Sequence, residues 1–412
     1  MRATSILQIL LALQSTRVVG IELDEDGIIV DVAPTHRIPR CGDCGRKVHG
    51  VHAHRQRQWR HLDLGGIMTH LRYDIRRVRC PKCGVRVEAV PWAEPASPFT
   101  LAFERHVAYL AKETSKTTVT ELMRIAWRSV GKIIHRVVQR QQGDVDDRLD
   151  GLTHIGIDEL SYRRHHEYVT VVVDHDRGKV VWVGEGKSAD TLAEFFKLLG
   201  PERSALLETV TIDMSGAFIK AVTKASPQAL LIFDRFHVQR LAHDALDEVR
   251  REEVRQASAA DKSALKKTRW ALQKNPWNLD GIEWAKLTTV QKTNQRLYRA
   301  YLLKETLLAV LDRRQVNVAR AKLSEWLAWA QRSKLAPFVK LARTIKKHQE
   351  GILAYVKTRL NNGRVEGING KIRTITRRAY GFHSAMGLIA MIFLCCGGIH
   401  TFPSHTVPFF NH

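Results

Sequence analysis

The sequence predicts an α/β protein built around a mixed β-sheet, and three observations carry that expectation. Between residues 154 and 233, short β-branched runs alternate with stretches of helical period; a cysteine-bearing segment precedes them, and a long, basic, helical segment follows. The 412 residues leave room for two to four domains, and a hydrophobic content of 44% supplies real cores and excludes wholesale disorder. A formal net charge of +23 draws the chain to polyanions, which leaves nucleic acid, an anionic membrane and a ribosome open as partner classes.

Taken in order, residues 1–95 hold four paired cysteines, many His and Arg, and strand-like stretches such as Gly27 to Val32. Arg2 before the apolar stretch Ile6 to Leu13 has a flavour of a signal peptide. Gln8 interrupts that stretch, no small-residue cleavage site follows, and Glu22, Asp24 and Glu25 come soon after, so an ordinary opening helix or strand is expected. Pro91 to Pro98 reads as a linker. Residues 96–143 are helical in period, with Val119, Leu122, Met123 and Ile125 on one short helix and Val130, Ile133, Ile134, Val137 and Val138 on a second.

After the acidic boundary Asp144 to Asp150, strands are expected at His154–Asp158, Tyr168–Val173 and Val180–Val183, the last two parted by the turn residues Asp174 to Gly178. A helix at Thr191–Leu199, a strand at Thr209–Ile212, a helix at Phe218–Lys224 and a strand at Ala229–Phe233 complete the run. Three strands, then helix, strand, helix, strand is the order of an RNase H-like core, here assigned to residues 150–240. A helical, basic stretch follows to about Arg359 and contains Trp270, Trp277, Trp284, Trp326 and Trp329. These five are expected mostly in a core, with base stacking as the alternative. A last helix begins near Gly363 and carries Glu366, Asn369, Lys371 and Arg373. No apolar run reaches the roughly 18–20 residues that span a bilayer, so no membrane partner is expected.

Three motifs carry chemistry. Cys41, Cys44, Cys80 and Cys83 form two Cys-x-x-Cys knuckles, each followed by a glycine (Gly45, Gly84), with 35 residues between them. Two such knuckles can close one tetrahedral zinc site whose four thiolates leave no open position, which makes the Zn²⁺ structural; coincidental buried cysteines are the bland alternative. With Cys395 and Cys396 adjacent and expected as core thiols, six cysteines are too few and too clustered for a disulfide scaffold, which suits a cytoplasmic protein. The helices around Thr117 to Val138, with Ser115 or Thr117 as cap, suit a helix-turn-helix whose second helix presents Arg128, Lys132 and Arg136 to a DNA groove; an ordinary helical hairpin would show the same pattern.

The third motif is acidic. Asp158 ends the run His154 to Asp158, Asp213 ends Thr209 to Asp213, and Asp234 follows Leu230 to Phe233. A carboxylate inside an apolar strand would be costly, but at its end it can face a cleft and hold a divalent cation. Glu366 adds a carboxylate from the last helix. Phosphodiester chemistry by two metal ions needs such a cluster, although strand-end Asp residues also cap helices.

The segments Gly156-Ile-Asp158-Glu159, Thr211-Ile-Asp213-Met-Ser215, Phe233-Asp234-Arg-Phe-His237-Val238 and Asn362-Gly-Arg-Val-Glu366-Gly-Ile-Asn369-Gly-Lys371-Ile-Arg373 together resemble the DDE transposases of the IS-L-three family of bacterial insertion sequences. Gly381-Phe382, the zinc knuckles and the helix-turn-helix extend that resemblance over nearly the whole chain. It implies an RNase H-like core interrupted by an all-helical insertion, here residues 241–359, with 360–412 as the final helical part of the core. It also implies Asp158, Asp213 and Glu366 as ligands of Mg²⁺ (or Mn²⁺), Asp158 contacting both ions. Asp234 and His237 are implied as supporting residues, with Asp234 as the second acid the rival role. Lys371, Arg373, Arg377 and Arg378 would meet phosphates or form a solvated face. The implied activity is cleavage at the terminal inverted repeats and strand transfer into target double-stranded DNA. A homo-oligomer in the synaptic complex and a nucleoid-associated place in the bacterial cytoplasm go with it. A zinc-finger repressor, and a metal-dependent nuclease without strand transfer, are the rival readings.

Overall fold

The computed structural model describes residues 3–401 other than 12, 26, 164–166, 259–261, 263, 264, 266, 361, 380 and 383; the last stretch of the expected final domain, 402–412, lies outside the described residues. The chain divides into two compact units, one of residues 1–143 with 378–412 and one of residues 144–377.

The first unit opens with helix α1 (Ala3–Leu11) and a five-stranded sheet: β1 (Thr16–Asp24), β2 (Gly27–Pro34), β3 (Val51–Leu64), β4 (Ile67–Cys80) and β5 (Gly84–Val87). The strand order is β1-β2-β4-β3, with β5 pairing β4. Alternation along the long β3–β4 hairpin turns Trp59, Leu71 and Ile75 inward, where they pack with Val30, Val32 and Trp92. The two knuckles sit at the end of this hairpin. Gly45 and Gly84 take left-handed backbone, at φ 67° and 75°, which a residue with a Cβ adopts only under strain.

Three helices follow: α2 (Leu101–Glu113), α3 (Lys116–Met123) and α4 (Trp127–Gln141). Thr100 caps α2 and Ser115 caps α3, each side chain accepting a backbone N–H three residues on. Arg124, in left-handed backbone at φ 52°, ends α3, and α4 begins three residues later. That leaves Leu122 exposed and Ile125 in the turn, whereas Val119, Met123, Val130, Ile133, Ile134, Val137 and Val138 are buried as their period predicts.

The second unit begins with α5 (Val145–Leu149) and a mixed sheet of β6 (His154–Arg163), β7 (Glu167–Asp174), β8 (Lys179–Glu185), β9 (Thr209–Ile212) and β10 (Leu230–Phe233), interleaved with α6 (Ala189–Ala205) and α7 (Gly216–Ala225). Its order is β10-β9-β6-β7-β8; β10, β9 and β6 run parallel, and β7 and β8 pair antiparallel. Every strand and helix expected between 154 and 233 is present. β6 runs past Asp158 to Arg163, so that acid lies within its strand and not at the end.

Then come α8 (Arg235–Gln256), α9 (Arg269–Gln273), α10 (Gly281–Thr293), α11 (Gln295–Leu311), α12 (Val316–Arg332), α13 (Ala336–Lys347), α14 (Gln349–Thr358) and α15 (Gly363–Arg378). One continuous core joins Ile155, Ile157, Val210 and Ile232 of the sheet to Leu307, Trp326 and Phe338 of the helices. α14 packs on β10, where Gly351 leaves room for the Phe233 ring.

The last helix, α16 (Ala385–Cys396), belongs to the first unit, packed on α4 and α2. Residues 360–401 are thus shared between the two units: α15 up to Arg377 lies with the sheet of the second, and α16 with the helices of the first. Cys396 is buried and Cys395 partly so.

Gly156 on β6 is a point of close approach. A Cβ there would fall 2.4 Å from Val365 Cγ2 and 2.7 Å from His175 Nε2, whereas one at Gly370 would meet nothing within 4 Å. Overpacking of this kind costs about 1–3 kcal/mol. Gly156→Val is therefore expected to lower the melting temperature by roughly 2–10 °C, while Gly370→Ala, in the same helix α15, holds or raises it. Differential scanning calorimetry checks this, and an unshifted Gly156→Val would show that α15 does not rest on β6.

Candidate active site

Strand register places three aspartates side by side. In the parallel pair β6–β9, Gly156 lies opposite Thr211, so Asp158 and Asp213 each stand two residues beyond the same paired rung. In the parallel pair β9–β10, Ile212 lies opposite Phe233, so Asp213 and Asp234 each stand one beyond theirs. Neighbouring strands lie about 4.8 Å apart, and the carboxyl ends of parallel strands are where open α/β sheets bind ligands.

Glu366 arrives on α15, and Asn369, one turn further along the same helix, donates its Nδ2–H to Asp158 Oδ2 at 2.6 Å. The backbone N–H of Glu159 holds the other oxygen of Asp158 at 2.8 Å, and Ser215 N–H holds Asp213 Oδ1 at 2.9 Å. Asp234 is buried; its Oδ2 lies 3.3 Å from His237 Nδ1, and its Oδ1 has no hydrogen-bond partner. Such an orphaned buried acceptor is costly unless something else fills its lone pairs.

The start of α15 is pinned to the sheet by a chain of buried polar groups. Thr211 Oγ1 donates to Asn362 Oδ1 and lies 2.6 Å from His175 Nε2, which gives the ring nitrogen the donor role. Arg364 donates to the carbonyl oxygen of His175. Burial, aided by the Arg364 charge, lowers His175 to about 4, so it stays neutral.

Electrostatics show how crowded the acids are. Burial raises Asp158 above the usual carboxylate range, and the charge of Asp213 adds to it. Burial also raises Glu366, with Asp234 and Asp158 contributing. Glu159, a fifth acid beside Asp158, is raised by burial and by Asp213 and Asp158. His237 is raised by its hydrogen bond to Asp234 and by the charges of Asp213 and Asp158. Among the described residues the acids are more widely spread than the cysteines, whose four sulfurs all lie within 4.8 Å of one another.

Those cysteines fit zinc closely. Cys44 Sγ and Cys80 Sγ are 3.7 Å apart, and bonds of about 2.3 Å in a tetrahedron require about 3.8 Å. Backbone N–H groups of Cys83 and Lys82 lower the Cys80 thiol to about 7, while the Cys44 sulfur pushes Cys83 up. Four sulfurs competing for negative charge is the situation a bound cation relieves.

The basic candidates separate. Arg128 and Lys132 are exposed on α4, and Lys371, Arg373 and Arg377 are exposed on α15. Arg136 is turned inward, because Glu104 of α2 is fully buried and must be paired. Arg136 Nη2 sits 2.6 Å from Glu104 Oε1, Arg140 Nη1 3.2 Å from Oε2, and Ser97 Oγ donates to Oε1 at 2.6 Å. Arg378 likewise donates to Ala111 O at 3.0 Å. These two arginines spend hydrogen bonds inside the first unit, which among the described residues the exposed Arg128, Lys132, Lys371, Arg373 and Arg377 do not show.

Residues with no role in the sequence reading are Glu159, His175, Thr211, Asn362 and Arg364. Asn362 lies inside the quoted motif, and a buried-side Asn at the start of a helix was the available signal. Thr211 opens another of the quoted segments, but its partner Asn362 lies 151 residues away, and His175, outside all of them, had no signal.

Comparison with known proteins follows the same sequence of parts. Residues 37–83 match a family model described as the zinc-finger of transposase IS204/IS1001/IS1096/IS1165, and residues 88–138 one described as the helix-turn-helix domain of transposase family ISL3. Residues 155–392 match a third, described as transposase of the ISL3 type. The chain is 40% identical to the transposase for insertion sequence element IS1557 of Mycobacterium tuberculosis, over 97% of this chain and 96% of that one. It is 29% identical to the transposase for insertion sequence element IS1001 of Bordetella parapertussis, over 85% of this chain and 86% of that one. Three models in the order of the cysteine cluster, the three helices and the acid-bearing sheet, with a relative alike from end to end, leave one conclusion: the chain belongs to the ISL3 family of transposases.

Proposed function

We propose that this protein is the DNA transposase of a bacterial insertion sequence, with an RNase H-like core in which Asp158, Asp213 and Glu366 hold two divalent cations, Mg²⁺ or Mn²⁺. The observation that carries the reading is the register that sets Asp158, Asp213 and Asp234 on neighbouring parallel strands, with Glu366 brought in by a helix that also grips Asp158. The sheet order β10-β9-β6-β7-β8 supports the core assignment.

The donor set fits hard cations. Carboxylates stand on adjacent strands, burial and then like charge raise Asp158 and Glu366, and Asp234 Oδ1 lacks a partner. A pair of ions about 4 Å apart supplies Lewis acidity at both the attacking and leaving oxygens of an in-line displacement. The protein's own residues do the rest. Asn369 and the Glu159 N–H fix the Asp158 carboxylate, Asp234 orients His237, and the Thr211–Asn362–His175 chain sets where Glu366 enters. Lys371, Arg373 and Arg377, beyond Glu366 on α15, take DNA phosphates. The helix-turn-helix reads the terminal inverted repeats through α4, with Arg128 and Lys132 as its exposed contacts, and the zinc site fixes the hairpin beside it. Joining two ends to one target calls for a homo-oligomer, and the work is done in the bacterial cytoplasm on the nucleoid. Among the described residues no helix is long and apolar enough to cross a membrane.

Asp158→Asn, Asp213→Asn and Glu366→Gln are each expected to lower strand joining by at least 10³-fold on a labelled element end with Mg²⁺, with end binding retained. Tight binding by the wild-type protein without cleavage or joining under any metal would sink the enzymatic reading and favour a repressor; cleavage without joining would favour a nuclease. Adding Mn²⁺ is expected to raise the melting temperature of the wild-type protein and not that of the Asp158→Asn/Glu366→Gln pair, since only a native site gains from ligand binding. Because burial and like charge raise Asp158 and Glu366, protons compete with the cation at a pH above that of ordinary carboxylates, so the Mn²⁺ shift should fade first on the acid side. Stripping zinc, or Cys44→Ser, should unfold the first unit and abolish end binding; binding that survives would remove zinc from its structural role.

A further inference from the structure

The five tryptophans of the helical stretch fall into two groups. Trp326 is 1% exposed and donates its Nε1–H to Leu303 O at 2.8 Å, and Trp329 packs against the core. Trp270, Trp277 and Trp284 are 63%, 79% and 47% exposed, against the expectation of a core role. They lie within fifteen consecutive residues, on α9, on the 3₁₀ turn Pro276–Asn278 and on α10. An ion pair of 2.5 Å between Lys274 and Glu283 ties this turn together. Each indole presents a large flat surface, and leaving three of them in water is costly unless something covers them.

The surroundings are basic. From residue 262 to 299 there are nine Lys and Arg and two acids. The Arg269 guanidinium lies 5.5 Å from the Trp270 ring centroid. Across from it on α8, Arg250 and Arg251 approach the same carboxylate as Arg269, that of Asp247, at 2.8, 3.2 and 3.6 Å respectively. Arg255 lines the same open groove as Arg250 and Arg251, where Glu248 is the one acid against three arginines. One carboxylate shared by three guanidinium groups leaves positive charge for an outside anion. A second copy of this face would bring like charges together, which disfavours self-docking. A DNA strand matches both features, because Arg takes the phosphates and indoles stack on base faces. Inside a duplex both faces of each base are already covered, so the indoles can engage only unpaired bases.

We propose that Trp270, Trp277 and Trp284, with Arg250, Arg251, Arg255 and Arg269, form a docking surface for an unpaired DNA strand beside the cut end. The proposal rests on the transposase reading and gives the helical stretch its task in it: holding the strand whose bases lose their partners.

The test uses the full-length zinc-loaded protein and two duplexes of one sequence, one fully paired and one with four unpaired nucleotides at a 3′ end, carrying 2-aminopurine there. The wild-type protein is expected to prefer the unpaired end by about tenfold or more and to quench the 2-aminopurine. The Trp270→Ala/Trp277→Ala/Trp284→Ala protein should lose preference and quenching together while binding the paired duplex as before, and the corresponding triple Phe protein should keep most of both. The proposal is overturned if the triple Ala protein keeps the preference, if it weakens on both DNAs equally, or if sedimentation shows that it has lost self-association with no change in DNA binding. Strand joining with Mg²⁺ is scored separately. Its absence beside an intact preference for the unpaired end would remove the transposase reading and leave this surface standing.

Discussion

The missing Cβ of Gly156 is the constraint from which the second unit follows. Only because β6 is bare at that rung can Val365 and the His175 ring lie against it. With α15 seated there, Glu366 comes over the carboxyl ends of the parallel strands and Asn369 reaches Asp158. The buried chain of Thr211, Asn362 and His175 then fixes the helix lengthwise. Contact is apolar in the middle and polar at the ends, so α15 has one way to sit. The acids stand on adjacent strands and on the helix packed over them despite their mutual repulsion, because packing, not attraction, sets those elements side by side.

The same economy governs the first unit with opposite charges. A carboxylate at a fully buried position, Glu104, would be ruinous alone, and two arginines one helical turn apart on α4 make it tolerable. What reads as a row of DNA-facing cations on α4 is therefore divided by function. Its outer members, Arg128 and Lys132, stay in solvent, and its inner one, Arg136, joins Arg140 in orienting the helix against α2.

Much of this was legible in the sequence, and the limit of legibility has a physical form. The strands of the second unit announce themselves through β-branched runs, and Asp213 and Asp234 stand at the ends of theirs as local pattern suggests, whereas β6 carries on past Asp158. Paired knuckles with following glycines were equally local. What could not be read depends on partners distant in the chain. Arg136 looks solvated until Glu104, 32 residues earlier, proves to be buried. Trp270, Trp277 and Trp284 look like core because tryptophan is apolar, and only packing shows that no core reaches them. The apolar period of α16 predicts a buried helix but says nothing about which neighbours bury it.

That placement of α16 bears on how copies of such a gene decay. The chain leaves the first unit at about residue 143 and returns to it at about 378. The helix it brings back is almost wholly apolar, with Leu388, Ile392 and Leu394 buried on α4 and α2. A copy that stops early, anywhere in the long middle, would make a first unit with that apolar seat bare. Such a fragment would go to aggregation or proteolysis and would not persist as a compact competitor for the element's ends. Truncated copies would thus be silent passengers in a genome, and interference with an intact enzyme would have to come from full-length chains with a damaged site.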